Sequence, residues 1–167
     1  MSTQERAALT AFVALGANLG DRRENIEAAV ALLRETPGVD VTAVSTLLEN
    51  SAVGMPDGSP AFLNAVAKIE TTLPAHALLK RLHDIERELG RSGAETWASR
   101  KIDLDLLLYG SKVLSSDRLV VPHPLMHERR FVLEPLAELA PDVVHPTLQM
   151  TAQGLLDELN TPRTPSS

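Results

Sequence analysis

The stretch SRKIDLDLLLYG, Ser99 to Gly110, decides how the rest of the chain is read. From Leu106 to Tyr109 it offers no polar face, the pattern of a strand covered on both sides, and the reading places it at the centre of a sheet. Yet it opens on two carboxylates, Asp103 and Asp105. Residues two apart on a strand share a face, so these side chains would stand about 6–7 Å apart along it. Two like charges there repel unless a cation lies between them or one is neutral. Two oxygen donors on a rigid strand suit Mg²⁺, which takes one or two protein carboxylates plus substrate phosphates. A solvated sheet face is the alternative, and the D-x-D pattern alone leaves both readings open.

The company of the pair favours a polyphosphate site. Trp97, Arg100 and Lys101 come immediately before it, and an arginine fork matches phosphate oxygens. In haloacid-dehalogenase-type phosphatases the apolar strand precedes the aspartates; here it follows them, which argues against that chemistry.

Working outward, AFLNAVAKIET (Ala61–Thr71) alternates: Leu63, Ala65, Ala67 and Ile69 on one face, Phe62, Asn64, Val66 and Lys68 on the other. Ala8–Gly16 reads as a buried strand and Val39–Leu48 as a second. Asp21, with Glu24 three residues on, marks an N-cap and capping box. Ile26, Ala29, Val30 and Leu33 then form a helical stripe that stops at Pro37-Gly38. Pro74 opens another helix with Leu78, Leu82, Ile85 and Leu89 on its core face, ended by Gly90. Glu49–Pro60 and Arg91–Ser99 read as loops. Beyond the fourth strand come a small hairpin or edge in SKVLSSDRLVVPHP, a short helix in ERRFVLEPLAELAP, a loop to Pro146 and a last helix in MTAQGLLDELN. Strand–helix–strand twice over predicts an α+β fold: a ferredoxin-like α/β sandwich, mainly antiparallel, with helices packed on the sheet.

The chain has 167 residues, a one-domain length, with 44% hydrophobic residues. Residues 1–167 are therefore expected to form a single domain, with 160–167 a loose tail. The net charge of −6 argues against a nucleic-acid or anionic-membrane partner, and against an RNA-binding sheet in particular. Cysteine is absent, which excludes disulfides and thiolate chemistry. The N-terminal apolar run is too short to span a bilayer. A cytoplasmic monomer is expected.

Five motifs in order, LGANLGDR (Leu15–Arg22), FLNAV (Phe62–Val66), Gly90-Arg91, WASRKIDLDLLLYG (Trp97–Gly110) and VPHPLMHERRF (Val121–Phe131), resemble the 6-hydroxymethyl-7,8-dihydropterin pyrophosphokinase family of folate biosynthesis. The resemblance runs from about Phe12 to about Leu159. It implies transfer of pyrophosphate from ATP to the hydroxymethyl group of a reduced pterin, with release of AMP. It implies two Mg²⁺ ions on Asp103 and Asp105, with Arg91 and Arg100 as catalytic phosphate contacts. Further ATP contacts are implied at His83, Glu86, Trp97, Leu106, Arg118, His123 and Arg129. For Glu86 an i,i+4 pair on a solvated helix face is the equal alternative. The pterin would be sandwiched by Phe62 and Phe131, read at its edge by Asn64, and met by Asn50, Val53, Gly54 and Trp97. The chain departs from the family at Glu49-Asn50-Ser51, Thr96 and Pro124, which bear on nucleotide affinity and loop closure. A binding module without catalysis would have lost a metal aspartate or a phosphate arginine, and both are present. The small-molecule partners expected are thus ATP and the pterin.

Overall fold

The computed structural model describes residues 7–17, 21–50, 62–90 and 102–161. Its elements run β1 (Leu9–Ala17), α1 (Arg22–Arg34), β2 (Val39–Val44), β3 (Leu48–Asn50), β4 (Phe62–Thr71), α2 (Ala75–Gly90) and β5 (Asp103–Tyr109). The hairpin β6 (Leu114–Ser115) and β7 (Val120–Val121) comes next, then a 3₁₀ turn at Met126–Glu128 and α3 (Arg130–Leu139). A hairpin of β8 (Val144–His145) and β9 (Met150–Thr151) precedes α4 (Ala152–Asn160). Among the described residues no helix is long and apolar enough to cross a membrane.

The main sheet is antiparallel in the order β2-β4-β1-β5, with β3 also on β4. This is the ferredoxin-like order. β4 pairs with β1 along its length, from Leu9 opposite Thr71 to Ala17 opposite Leu63. The strand read from Val39 to Leu48 breaks at Ser45. There the Ser45 hydroxyl accepts from Val66 N at 2.9 Å, and Ser45 N donates to Val66 O at 2.9 Å. The Glu138 carboxylate of α3 then accepts from Thr46 N and from its hydroxyl, at 3.0 to 3.1 Å. These bonds replace the ladder where the strand steps.

β5 corrects one expectation: it lies at the edge of the sheet, not at its centre. It is apolar on both faces because helices cover both. Leu104 and Leu106 join Val13, Leu15, Ala65, Ala67 and Ile69 against α1 and α2. Leu107 and Leu108 join Phe12 and Val66 against α3 and α4. The switch of side occurs at a β-bulge, where Phe12 faces Leu108 and Val13 faces Leu106. Leu107 is the extra residue, so two consecutive leucines serve one core. The strand's outer edge is met by other groups. Glu86 Oε2 accepts from Leu104 N at 2.8 Å, and His123 N donates to Leu107 O at 3.0 Å. Such cover blunts an edge that could otherwise recruit another strand.

Helix α1 starts where its capping pair predicts, whereas the last helix starts at Ala152, after β9, and not at Met150. Asp21 Oδ1 accepts from Glu24 N at 3.0 Å, and Ile26, Ala29, Val30 and Leu33 are buried. The Arg22–Glu49 ion pair at 2.9 Å ties the start of α1 to β3. Being part-exposed, it is worth little energy; what it fixes is position. Between Ala140 and Thr151 the structure has the β8–β9 hairpin where the sequence reading has a loop. Asn160, expected in the loose tail, closes α4, while 162–167 lie outside the described residues.

His145 anchors that hairpin. It is 6% exposed, and its Nδ1 accepts from Thr147 N at 3.2 Å and Leu148 N at 3.0 Å. Its ring meets that of His127 edge-on at 6.4 Å. Burial first, then the charge of His127, pushes its pKa below the ordinary value, against an opposing backbone hydrogen bond. The unfolded chain therefore takes up the proton first. Stability is complete above about pH 6.5 and falls as pH drops below it. Burial pushes His123 the same way. The urea midpoint is expected to fall between about pH 7.5 and about pH 5.5. His145→Asn, which can accept the same two N–H groups without titrating, should show a smaller fall. An equal fall would place the dependence elsewhere.

Candidate active site

The α3–α4 layer covers only part of its sheet face. The start of β4 and the start of β5 carry polar residues beside it, and the C-terminal end of β1 runs between them. Gly16 of β1 pairs with Asp103 on one side and Asn64 on the other. Asn64 in turn pairs with Leu48 of β3. One pair along, Ala14 lies between Asp105 and Val66. The face thus carries a row Asp103–Gly16–Asn64, with Asp105 beside Ala14 in the next. The two carboxylates share that face, as the spacing predicts, opposite to Leu104 and Leu106. At about 4.8 Å per strand, Asp103 and Asn64 are roughly 10 Å apart across the glycine.

The Asn64 side chain is the most informative group. The residue is 8% exposed, and its Oδ1 is buried with no hydrogen-bond partner among the described residues. A buried amide oxygen left unmatched costs about 1–3 kcal/mol. Its Nδ2 lies 3.0 Å from where a Cβ on Gly16 would stand, and a ring carbon of Phe62 lies 4.0 Å from the same point. Phe62 and Asn64 share a strand face and border this floor.

The other wall comes from the segment after β7. A cis bond joins Val121 to Pro122. His123 follows, held against β5 by Leu107 O, and its Nδ1 accepts from Leu125 N at 3.1 Å. In the neutral ring the proton is then on Nε2. Burial is the main cause of its lowered pKa; Asp105 pulls it up and Arg129 pushes it down. Asp105 and Arg129 are therefore each within electrostatic reach of His123. Arg129, the N-cap residue of α3, stands 5.8 Å from the centre of the Phe131 ring. Phe131 is half-buried and packs on the α3–α4 core.

The residues expected at the site divide into three groups. Asp103, Asp105, Asn64, Phe62, His123, Arg129 and Phe131 come together on one side of the sheet. Glu86 sits on α2 on the other side, with an oxygen bonded to Leu104 N between the two aspartates. His83 is exposed on the same helix, and Leu106 spends its side chain in the α1–α2 core. Arg118 is exposed in the turn between β6 and β7. Arg91, Trp97, Arg100, Val53 and Gly54 lie outside the described residues, and for Asn50 only the strand placement is described. Gly16 and Ala14 were not singled out from the sequence. The sequence signal is two small residues, Ala14 and Gly16, that follow Phe12 on one face of the strand.

The donor set fits a hard divalent cation. Asp105 is exposed and Asp103 half-buried, and both present oxygen on one face of a paired strand. No group of three or more acidic or histidine residues able to hold a metal occurs among the described residues. An open site of one or two carboxylates is what Mg²⁺ uses when phosphates supply the remaining ligands.

The model of the 7,8-dihydro-6-hydroxymethylpterin-pyrophosphokinase family matches residues 12–141. A Haemophilus influenzae protein named 2-amino-4-hydroxy-6-hydroxymethyldihydropteridine pyrophosphokinase is 39% identical over 145 residues, covering 87% of this chain and 90% of its own. A Bacillus subtilis protein of the same name is 44% identical over 133 residues, covering 80% and 79%. Among solved structures, a Plasmodium falciparum HPPK-DHPS chain superposes with a TM-score of 0.71 at 14% identity, over 93% of this chain and 46% of that one. That likeness is one of fold.

Proposed function

The chain belongs to the 7,8-dihydro-6-hydroxymethylpterin-pyrophosphokinase family, and from that premise we propose that it transfers pyrophosphate from ATP to the hydroxymethyl group of 6-hydroxymethyl-7,8-dihydropterin. The hydroxymethyl oxygen attacks the β-phosphorus, the bond from that phosphorus to the oxygen bridging it to the α-phosphate breaks, and AMP leaves. The products are AMP and the pterin diphosphate of folate biosynthesis. The observation that carries this reading is the buried, unpartnered Oδ1 of Asn64 in one row with Asp103. It is an edge reader for a flat donor–acceptor ring, placed about one ring system away from a metal carboxylate.

Asp103 and Asp105 would hold two Mg²⁺ ions. When bound, these neutralise phosphate charge and lower the pKa of the attacking hydroxyl. Asn64 offers the pyrimidine edge both an acceptor and two donors. Phe62 and Phe131 stack on the ring, each worth about 0.5–1.5 kcal/mol beyond area. His123, kept neutral with its proton on Nε2, donates toward the triphosphate, and Arg129 adds a fixed charge beside it. Arg91, Arg100 and Trp97 complete the ATP contacts, with Arg118 as an outer contact; His83 and Glu86 on α2 and the Leu106 side chain belong to the opposite side of the sheet and are not counted among them. Asn50, Val53 and Gly54 meet the pterin through their backbone. The protein works as a cytoplasmic, monomeric single domain over residues 1–167, with no nucleic-acid or membrane partner.

The deciding experiment is product identity. With ATP, Mg²⁺ and the hydroxymethyl pterin, AMP should form in step with a pterin diphosphate; ADP instead would mean transfer of a single phosphate and a wrong mechanism. Phe131→Ala should weaken pterin binding by about tenfold, for a loss of about 1.4 kcal/mol, and ATP binding much less. Equal losses in calorimetry would remove the stacking role.

A further inference from the structure

We infer that Gly16 is a specificity-determining position, whose missing side chain gives the Asn64 amide room to present itself to the ring edge. The inference rests on the pterin reading above and extends it to a residue that touches no reacting atom. Gly16 has no left-handed backbone; the positive-φ glycines among the described residues are Gly38 and Gly110. An alanine would therefore meet no backbone strain at this position. What it would meet is the amide: the added Cβ falls 3.0 Å from Asn64 Nδ2, with the Phe62 ring at 4.0 Å. A carbon and an amide nitrogen need several tenths of an ångström more than that.

The neighbouring pair shows that the crowding is local. Ala14, two residues earlier on the same face, carries its methyl between Asp105 and Val66. Only where β1 passes under Asn64 is the Cβ missing. The amide is buried and its oxygen has no partner among the described residues, so no hydrogen bond from them to that oxygen resists its displacement. A methyl at Gly16 thus turns or lifts the amide by a few tenths of an ångström. Edge recognition depends on donor–acceptor distances of about 2.7–3.2 Å and weakens steeply with misalignment. Gly16 is a positioning residue that acts through Asn64.

The test is a double-mutant cycle by calorimetry on the full chain, using 6-hydroxymethyl-7,8-dihydropterin and, separately, a non-hydrolysable ATP analogue with Mg²⁺. Gly16→Ala is expected to weaken pterin binding by about tenfold and to change nucleotide binding by less than about twofold. In an Asn64→Ala background the same substitution should change pterin binding by less than about twofold, because the group it displaces is gone. A loss that persists in that background means that the methyl acts on the ring or the backbone and overturns the inference. So does unchanged pterin affinity in Gly16→Ala. The contact is also read without ligand: the Asn64 side-chain amide signal in ¹⁵N spectra should move in Gly16→Ala. If that signal moves but wild type binds no pterin, the reading of the site fails and takes the specificity role with it. If wild type binds pterin and Gly16→Ala binds it equally, the specificity role fails alone.

Discussion

Asp105→Ala should fold and melt like wild type and turn over at least about 10²–10³-fold more slowly, the cost of removing one preorganised electrostatic contact to developing charge. The structure makes the two halves of this expectation separable. Asp105 is exposed, it sits on a strand held by β1 pairing on backbone atoms, and its neighbour across the sheet is Ala14. No apolar packing is lost with its carboxylate. Removing one of two like charges two residues apart on a strand relieves repulsion in the metal-free protein. The activity loss should be accompanied by a much higher Mg²⁺ requirement, because one of the two carboxylates proposed to concentrate the ion is gone. Asp105 also raises the pKa of His123, so the variant should hold that imidazole neutral to still lower pH. Near-normal turnover, or a fall in melting temperature matching the loss of activity, would remove Asp105 from the chemistry.

Leu107→Ala carries the largest expected stability loss, about 2–5 kcal/mol for a buried leucine truncated in a close-packed core. That is a large share of a total that is ordinarily only about 5–15 kcal/mol. Leu107 is 1% exposed and lies at the bulge, where its side chain fills the α3–α4 core and its carbonyl holds His123 N. Neighbours on both flanks, Phe12 and Leu108, belong to the same core, so the cavity closes only if β5 or α3 moves. Urea unfolding should show a lower midpoint with an unchanged slope. A shift under about 0.5 kcal/mol, the size of a surface substitution, would mean the bulge residue is not a core residue. The His123 tether is the Leu107 backbone carbonyl, which this substitution keeps, so activity measured under folding conditions should change much less than stability.

Much of the architecture was legible from periodicity. The alternation in Ala61–Thr71 placed Ala65, Ala67 and Ile69 against Asn64 and Val66, and the structure keeps that division. The capping pair at Asp21 and Glu24 and the stripe at Ile26, Ala29, Val30 and Leu33 began α1 and buried it. In contrast, the apolar run of β5 predicts a central strand, and β5 is an edge. An apolar run reports that both faces of a strand are covered; it says nothing about what lies alongside. In-plane neighbours are chosen by backbone hydrogen bonds, which every residue type but proline offers alike. The break at Ser45 and the β8–β9 hairpin were missed for a related reason. Each is held by particular contacts, Thr46 to Glu138 and His145 to two backbone N–H groups, whose partners no local pattern announces.

The same boundary runs through the site. By itself the sequence determined the chemistry on offer: two carboxylates on one strand face, an amide and a phenyl two residues apart on another, a histidine and arginine in one short segment. Spacing along one strand is fixed by its pleat, so those pairings needed no tertiary information. Only the tertiary structure decided which of these strands lie side by side. It put Gly16 between Asp103 and Asn64, left the Asn64 oxygen without a partner, and turned Glu86 to the strand edge on the other side of the sheet. Those relations join residues 48 and 87 positions apart, and they arise from sheet order and register, which are settled when the two cores close on the sheet and not before.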